Sequence, residues 1–235
     1  LLDMALTTAP QKYEYRDLQG LMSLMTGDEK HSAAATSTLD VIWALYDRVL
    51  RVTPDALEDP TRDRFLLSKG HGPMAYYAVL AAKGYLAEDD LASFARYDSI
   101  LGHHPDATLI PGVEIGAGSL GHGLPIAVGL ALGLKAQSNP ARVFCLIGDG
   151  ELDEGSNHEA IAVAGRRGLD SLTVIVIDNQ SASQGWPGGI QKRFAVEGWA
   201  GQRVNGRDHA ALSQALMHRE PDRPRAVIAL TETKQ

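Results

Sequence analysis

The run Arg142-Val143-Phe144-Cys145-Leu146-Ile147-Gly148, followed at once by Asp149-Gly150, decides how this chain folds. An apolar, β-branched run closed by glycine reads as a strand buried on both faces. The pattern returns in TVIVID (173–178) and AVIALT (226–231). Between the first two strands, GSNHEAIAVAGRRG (155–168) has helical spacing and stops at Gly168, and Ala210 to His218 reads as a further helix. Strands that alternate with helices predict an α/β fold, a mostly parallel sheet with helices on both faces.

Upstream the chain is helical and loop-rich. A helix is expected from Thr36, where Leu39, Ile42, Trp43, Tyr46 and Leu50 recur at helical spacing. A second opens at Pro73 and stops at Gly84, and a third covers about Glu88 to Tyr97. Gly102 to Gly123 is rich in Gly, His and Pro and reads as a functional loop. From Pro125 to about Ala136 the sequence is apolar on nearly every face, which predicts a helix buried on all sides. Residues 1–30 are weakly patterned and are expected to form an arm that packs late or on a partner, leaving 31–235 as one domain.

The chain has 235 residues, 44% hydrophobic and 22% charged, enough to bury a large core without a disulfide or structural metal. Its net charge of −7 and lack of a long basic run argue against nucleic-acid and anionic-membrane partners. The longest apolar stretch, Ile126 to Leu134, is too short to span a bilayer, so a soluble protein is expected. One cysteine, Cys145, cannot form an internal bridge and fits a reducing cytoplasm.

In parallel sheets, ligands bind beyond the carboxyl ends of the strands. Two such ends carry oxygen ligands here: Gly148-Asp149-Gly150 and Asp178-Asn179-Gln180-Ser181. Asp149 and Asn179 are thirty residues apart, the span of one helix and two neighbouring strands. A carboxylate and an amide oxygen at adjacent strand ends can share a hard cation, and Mg²⁺ suits them because phosphate and water complete its octahedron. Gly148 and Gly150 let backbone N–H groups approach a phosphate, and the helix that begins near Glu154 aims its positive end at the same place. GDG alone reads as a tight turn; its spacing to Asn179 makes it a candidate site.

Gly148-Asp149-Gly150, Glu154-Gly155, Glu159-Ala160 and Asp178-Asn179 together resemble the thiamine-diphosphate motif of transketolases. RDRFLLSKGHG (62–72), GHHPD (102–106) and PGVEIGAGSLGHGLPIAVGLALGLK (111–135) resemble further transketolase segments in the family's order, so the resemblance covers about residues 31 to 234. It implies that Asp149, Asn179 and the Ser181 carbonyl hold Mg²⁺ on the cofactor diphosphate, with His71, Gly148 and Gly150 close to the diphosphate itself. Gly118 and Leu120 would approach the aminopyrimidine ring. Glu154 would sit at an interface and meet the activating glutamate of a partner domain, and His31 and His104 would face the substrate carbon. The implied reaction is transfer of a two-carbon ketol unit from a ketose to an aldose, on sugars or sugar phosphates. Nothing follows Gln235, so the expected arrangement is a split enzyme. Its pyrimidine domain would come from a second polypeptide, with two copies of each chain in a heterotetramer.

Other readings compete. GAGSLG (116–121) satisfies the dinucleotide pattern, but LIPGVEI before it is a poor strand and no acidic residue occurs from Ile115 to Gly148. Of eight histidines, His31, His71, His103, His104 and His122 lie in loops or helix starts, which raises zinc, yet no ordered His-Glu spacing links them. His103, His209 and His218 read as surface residues, and Pro105 favours His104 over His103 as the substrate-facing ring. Trp43, Tyr46, Trp186 and Trp199 read as core or interface. The alternative functions are a chain of a decarboxylating 2-oxo-acid enzyme, a synthase sharing the cofactor fold, and a non-catalytic scaffold. The chain departs from the family where Ser32-Ala33-Ala34-Ala35 follows His31 and where Ser181-Ala182-Ser183 follows Asn179, which bears on substrate more than on cofactor.

Overall fold

The structure, a computed structural model, describes residues 13–26 and 33–231. Its centre is a sheet of β1 (Arg64–Leu67), β2 (Val143–Gly148), β3 (Leu172–Asp178), β4 (Ala200–Asn205) and β5 (Arg225–Leu230), in the order β1-β2-β3-β5-β4. Every pairing is parallel, and β2 and β3 run in register from Val143↔Leu172 to Gly148↔Ile177. Parallel strands need helical crossovers, and these cover both faces.

Alternate strand residues face two separate cores. Phe144, Leu146, Ile175, Ile177 and Val227 pack with α1 (Leu18–Ser23), α2 (Ala33–Ala44), α3 (Met74–Ala82) and α8 (His209–Met217). Val143, Cys145, Ile147, Val174, Val176 and Ile228 pack with α5 (Gly123–Ala136), α6 (Gly155–Arg166) and α7 (Ile190–Ala195). The short α4 (Glu88–Leu91) lies beside α3. Toward its carboxyl end α6 runs against backbone: a Cβ at Gly165 would lie 1.8 Å from the Glu197 carbonyl oxygen. Trp199 Nε1 donates to the Ile161 carbonyl beside it at 2.9 Å.

Four expectations are corrected. The described part of the arm, residues 13–26, does not wait for a partner, because Leu18, Leu21, Met22 and Met25 are buried in this chain's own core against α3. The third helix ends at Leu91, and turns replace it before Tyr97. The first long helix starts at Ala33 rather than Thr36 and loosens into a π-turn over Leu45–Val49. Finally, α5 is not covered all round: Ile126 is 44% exposed and Leu132 37% exposed, because the sheet and α6 cover only part of its surface.

Candidate active site

β2 and β3 are neighbours, so Asp149 and Asn179 lie side by side at the carboxyl edge, and the Asp149 N–H still donates to the Ile177 carbonyl at 3.0 Å. Gln180 takes a left-handed φ of 57°, which turns the chain back so that Ser181 closes over Asp149. Asp149 Oδ1 accepts from the Gly150 N–H (2.8 Å) and the Ser181 hydroxyl (2.5 Å). Its Oδ2 accepts from the Ser181 N–H (2.7 Å) and the Ala182 N–H (3.3 Å). All four donors are neutral, and among the described residues no Lys, Arg or His pairs with this buried carboxylate. Asn179 is buried too, and its Oδ1 accepts no hydrogen bond from the described residues. A buried amide oxygen without a partner is costly, and a cation shared with a carboxylate would satisfy it. The Ser181 carbonyl oxygen faces the same place, 3.7 Å from where a Cβ on Gly150 would stand.

A second wall comes from the β1 end and the loop before α5. The His104 ring Nδ1 is 3.2 Å from the Gly70 carbonyl, and its ring meets His71 edge-on at 5.5 Å. Gly118, at φ +135°, presses on this ring: a Cβ there would lie 3.1 Å from His104 Cγ. A Cβ on Gly70 would lie 2.7 Å from the Gly118 N–H nitrogen. His71, His104 and the turn carrying Gly118 and Leu120 are thus drawn together with no room for extra side chains. His103 turns the other way, against Phe94 at 5.7 Å. His31 lies outside the described residues.

Glu154 caps α6 and is exposed. It is tied to the same turn, because Gly121 at φ +80° would place a Cβ 2.7 Å from Glu154 Cβ, and Ser156 donates to the Gly121 carbonyl at 2.6 Å. One acid the sequence reading passed over joins these walls. Glu151 is buried; its Oε1 accepts from the Ser68 hydroxyl and from the Gly121 N–H (3.0 Å), and its Oε2 from the Gly148 N–H (3.3 Å). Burial pushes its carboxyl above the usual range, with these donors opposing. Its position directly after Gly150 was the signal for it, masked by the acids around it.

GAGSLG sits in a loop that no strand precedes, unlike a dinucleotide fingerprint. Among the described residues no group of three or more His, Cys, Asp or Glu is gathered as for zinc.

A parallel sheet whose adjacent strand ends offer a carboxylate, an orphaned amide oxygen and a glycine beside a helix start defines a protein that binds the diphosphate of a cofactor. Known proteins narrow this class. Residues 21–233 match the family model described as transketolase, thiamine diphosphate binding domain. The chain is 57% identical over 232 residues to "Ferredoxin fas2" of Rhodococcoides fascians, covering 98% of this chain and 76% of that one. It is 38% identical over 208 residues to an apulose-4-phosphate transketolase subunit of Actinobacillus succinogenes, covering 86% of this chain and 75% of that one. A solved transketolase from Campylobacter jejuni superposes with a TM-score of 0.75 at 25% identity, over 93% of this chain and 38% of the larger one. The chain belongs to the transketolase family, as its thiamine-diphosphate-binding domain. The name ferredoxin belongs to the R. fascians protein; this chain's single cysteine, the buried Cys145, offers no set of thiolates for an iron–sulfur cluster.

Proposed function

We propose that this chain is the diphosphate-binding subunit of a two-chain transketolase that uses Mg²⁺ and thiamine diphosphate to move a two-carbon ketol unit from a ketose to an aldose. The carrying observation is the pair of buried oxygens at the β2 and β3 ends: Asp149 surrounded by neutral donors and Asn179 Oδ1 with none. Asp149, Asn179 and the Ser181 carbonyl would hold Mg²⁺, and Gly150 and His71 would meet the diphosphate. Gly148 opens the backbone beneath it, and Gly118 and Leu120 would bear on the aminopyrimidine ring. Bound thiamine diphosphate supplies the electron sink for carbon–carbon cleavage. The protein's share is to orient the sugar and move protons at its hydroxyl and carbonyl oxygens, which His104 and His31 would do at neutral pH.

A partner is supported by the lengths of the relatives. This chain covers 75% of the A. succinogenes transketolase subunit but 38% of the C. jejuni transketolase, so the former has little room for a pyrimidine domain of its own. Ile126 (44%), Leu132 (37%) and Val163 (42%) are exposed apolar side chains on the adjacent helices α5 and α6, the second of which starts at Glu154. We assign this surface to assembly with two copies of each chain, Glu154 meeting a glutamate of the partner. The same reading puts the enzyme in the cytoplasm, supported by the reduced, buried Cys145. Among the described residues no helix is long and apolar enough to cross a membrane.

Purifying the chain alone and then with a pyrimidine-domain candidate, and assaying ketol transfer with Mg²⁺ and cofactor, tests the proposal. Activity is expected only from the pair, across a panel of ketoses with and without phosphate. Full activity from these 235 residues alone overturns it.

A further inference from the structure

We propose that Glu151 is a positioning residue for the ring end of the cofactor, acting through Ser68 and Gly121 to hold the Gly118–Gly121 turn at a set distance from the diphosphate loop. The inference rests on the cofactor reading above and assigns a role to two side chains that reading leaves idle.

The geometry is a three-way joint. Ser68 directly follows β1, and its hydroxyl donates to Glu151 Oε1 while accepting from the Gly123 N–H, at the first turn of α5, at 3.0 Å. The same Oε1 accepts from the Gly121 N–H at 3.0 Å, and Oε2 reaches the Gly148 N–H at 3.3 Å. The joint is close-packed as well as bonded: a Cβ on Gly123 would lie 2.3 Å from Ser68 Cβ. Glu151 is itself anchored, since its carbonyl accepts from Asn157 Nδ2 at 2.7 Å in the first turn of α6.

Asp149, by contrast, has no hydrogen bond to this turn among the described residues; it is held by the end of β3 and the Ser181 loop. The ring turn is therefore held through Ser68 and Glu151 Oε1 and the Asp149 carboxylate by the Ser181 loop, with the longer Glu151 Oε2–Gly148 bond (3.3 Å) between them. Removing the Glu151 joint should loosen the grip on the ring while leaving the diphosphate end intact. A simple loss of folding would weaken both.

The test uses the assembled two-chain enzyme and two ligands measured by titration calorimetry with Mg²⁺: thiamine diphosphate, and inorganic diphosphate as a probe of the diphosphate end alone. Ser68→Ala and Glu151→Ala should raise the Kd for thiamine diphosphate roughly tenfold, the scale of one lost buried hydrogen bond. Affinity for inorganic diphosphate should stay within about twofold of wild type on the same argument. Glu151→Gln, which keeps one oxygen for Gly121 and Ser68, should restore most of the ring affinity. If Glu151→Ala does not fold, Ser68→Ala decides alone. Unchanged affinity for both ligands, or equal loss of both, overturns the proposal. Asp149→Ala should lose both ligands; if it keeps inorganic diphosphate, the metal assignment fails while the Glu151 result still stands.

Discussion

Two buried aspartates at opposite ends of the sheet have been treated in opposite ways. Asp63, beside the amino end of β1, accepts from the Arg51 N–H (2.9 Å), Arg51 Nη2 (2.9 Å), the Arg142 N–H (2.9 Å) and Arg142 Nη2 (2.5 Å). Burial works to raise its carboxyl, but the two guanidinium groups outweigh it and hold the group below the usual carboxylate range. Asp149, beyond the carboxyl end of β2, accepts four hydrogen bonds, all from amides and a hydroxyl. Hydrogen bonds are thus supplied to both aspartates, and among the described residues an ion pair to only Asp63. The amino end of the sheet is closed upon itself, a latch between β1 and β2. At the carboxyl end the Asp149 carboxylate without an ion pair stands beside an Asn179 oxygen that no described residue partners, which is the state a cation-binding site needs before its cation arrives.

Substitutions should therefore separate the two aspartates by kind of effect. Asp149→Ala is expected to abolish Mg²⁺-dependent cofactor binding, a loss beyond about 100-fold, the upper end of what outer partners of a metal contribute. The fold should survive, read as a cooperative melt near that of the cofactor-free wild type; cofactor affinity within twofold of wild type would remove the metal assignment. Asp63→Ala should do the reverse. Breaking the buried ion pairs should cost about 3 kcal/mol of unfolding free energy, by denaturant titration, with no dependence on Mg²⁺. A metal-dependent loss in that variant would erase the contrast. His104→Ala sharpens the carboxyl end further: turnover should fall about 10²-fold while cofactor affinity nearly holds, since the ring is assigned to the substrate and bonds to the Gly70 carbonyl rather than to Asp149. Loss of cofactor with turnover kept at saturation would reassign it. The smallest effect is expected at Cys145, where burial, reinforced by the charge of Glu151, pushes the thiol far above its ordinary range. At pH 8 a thiol-reactive dye should leave the native chain unlabelled and react once on unfolding; labelling at native rates would show that the β2 core opens.

The three strands read from sequence are those buried on both faces, because continuous apolar runs carry their own signal. β4, AGQRVN, is an edge strand with exposed side chains and so lacks that run, and β1 contributes only RFLL before its chain enters the SKGHG loop. The six-residue α7 is too short for a helical period to show. At the site, Asp149 and Asn179 were legible because strand ends and glycines fix where their side chains sit. Glu151 was not, because in Glu151-Leu152-Asp153-Glu154 each acid looks like a solvated helix start. Only closure of Ser68 and Gly121 over one of them makes it a buried joint, and that contact spans 83 residues to Ser68 and 30 to Gly121. The exposed face of α5 was missed for a related reason: periodicity reports that a helix is apolar, not how much of it the neighbouring elements cover.

Gly165 gives the far end of α6 a meaning of its own. Close against the Glu197 carbonyl and bonded to Trp199 through the Ile161 carbonyl, that end is fixed to the body of the domain. A helix is a stiff rod that rises about 1.5 Å per residue, so its other end, with Glu154, is located by a stop about 16 Å away. The reach of Glu154 toward whatever lies across the surface is thus gauged from inside the domain, by a residue with no side chain, and a partner finds that distance already set.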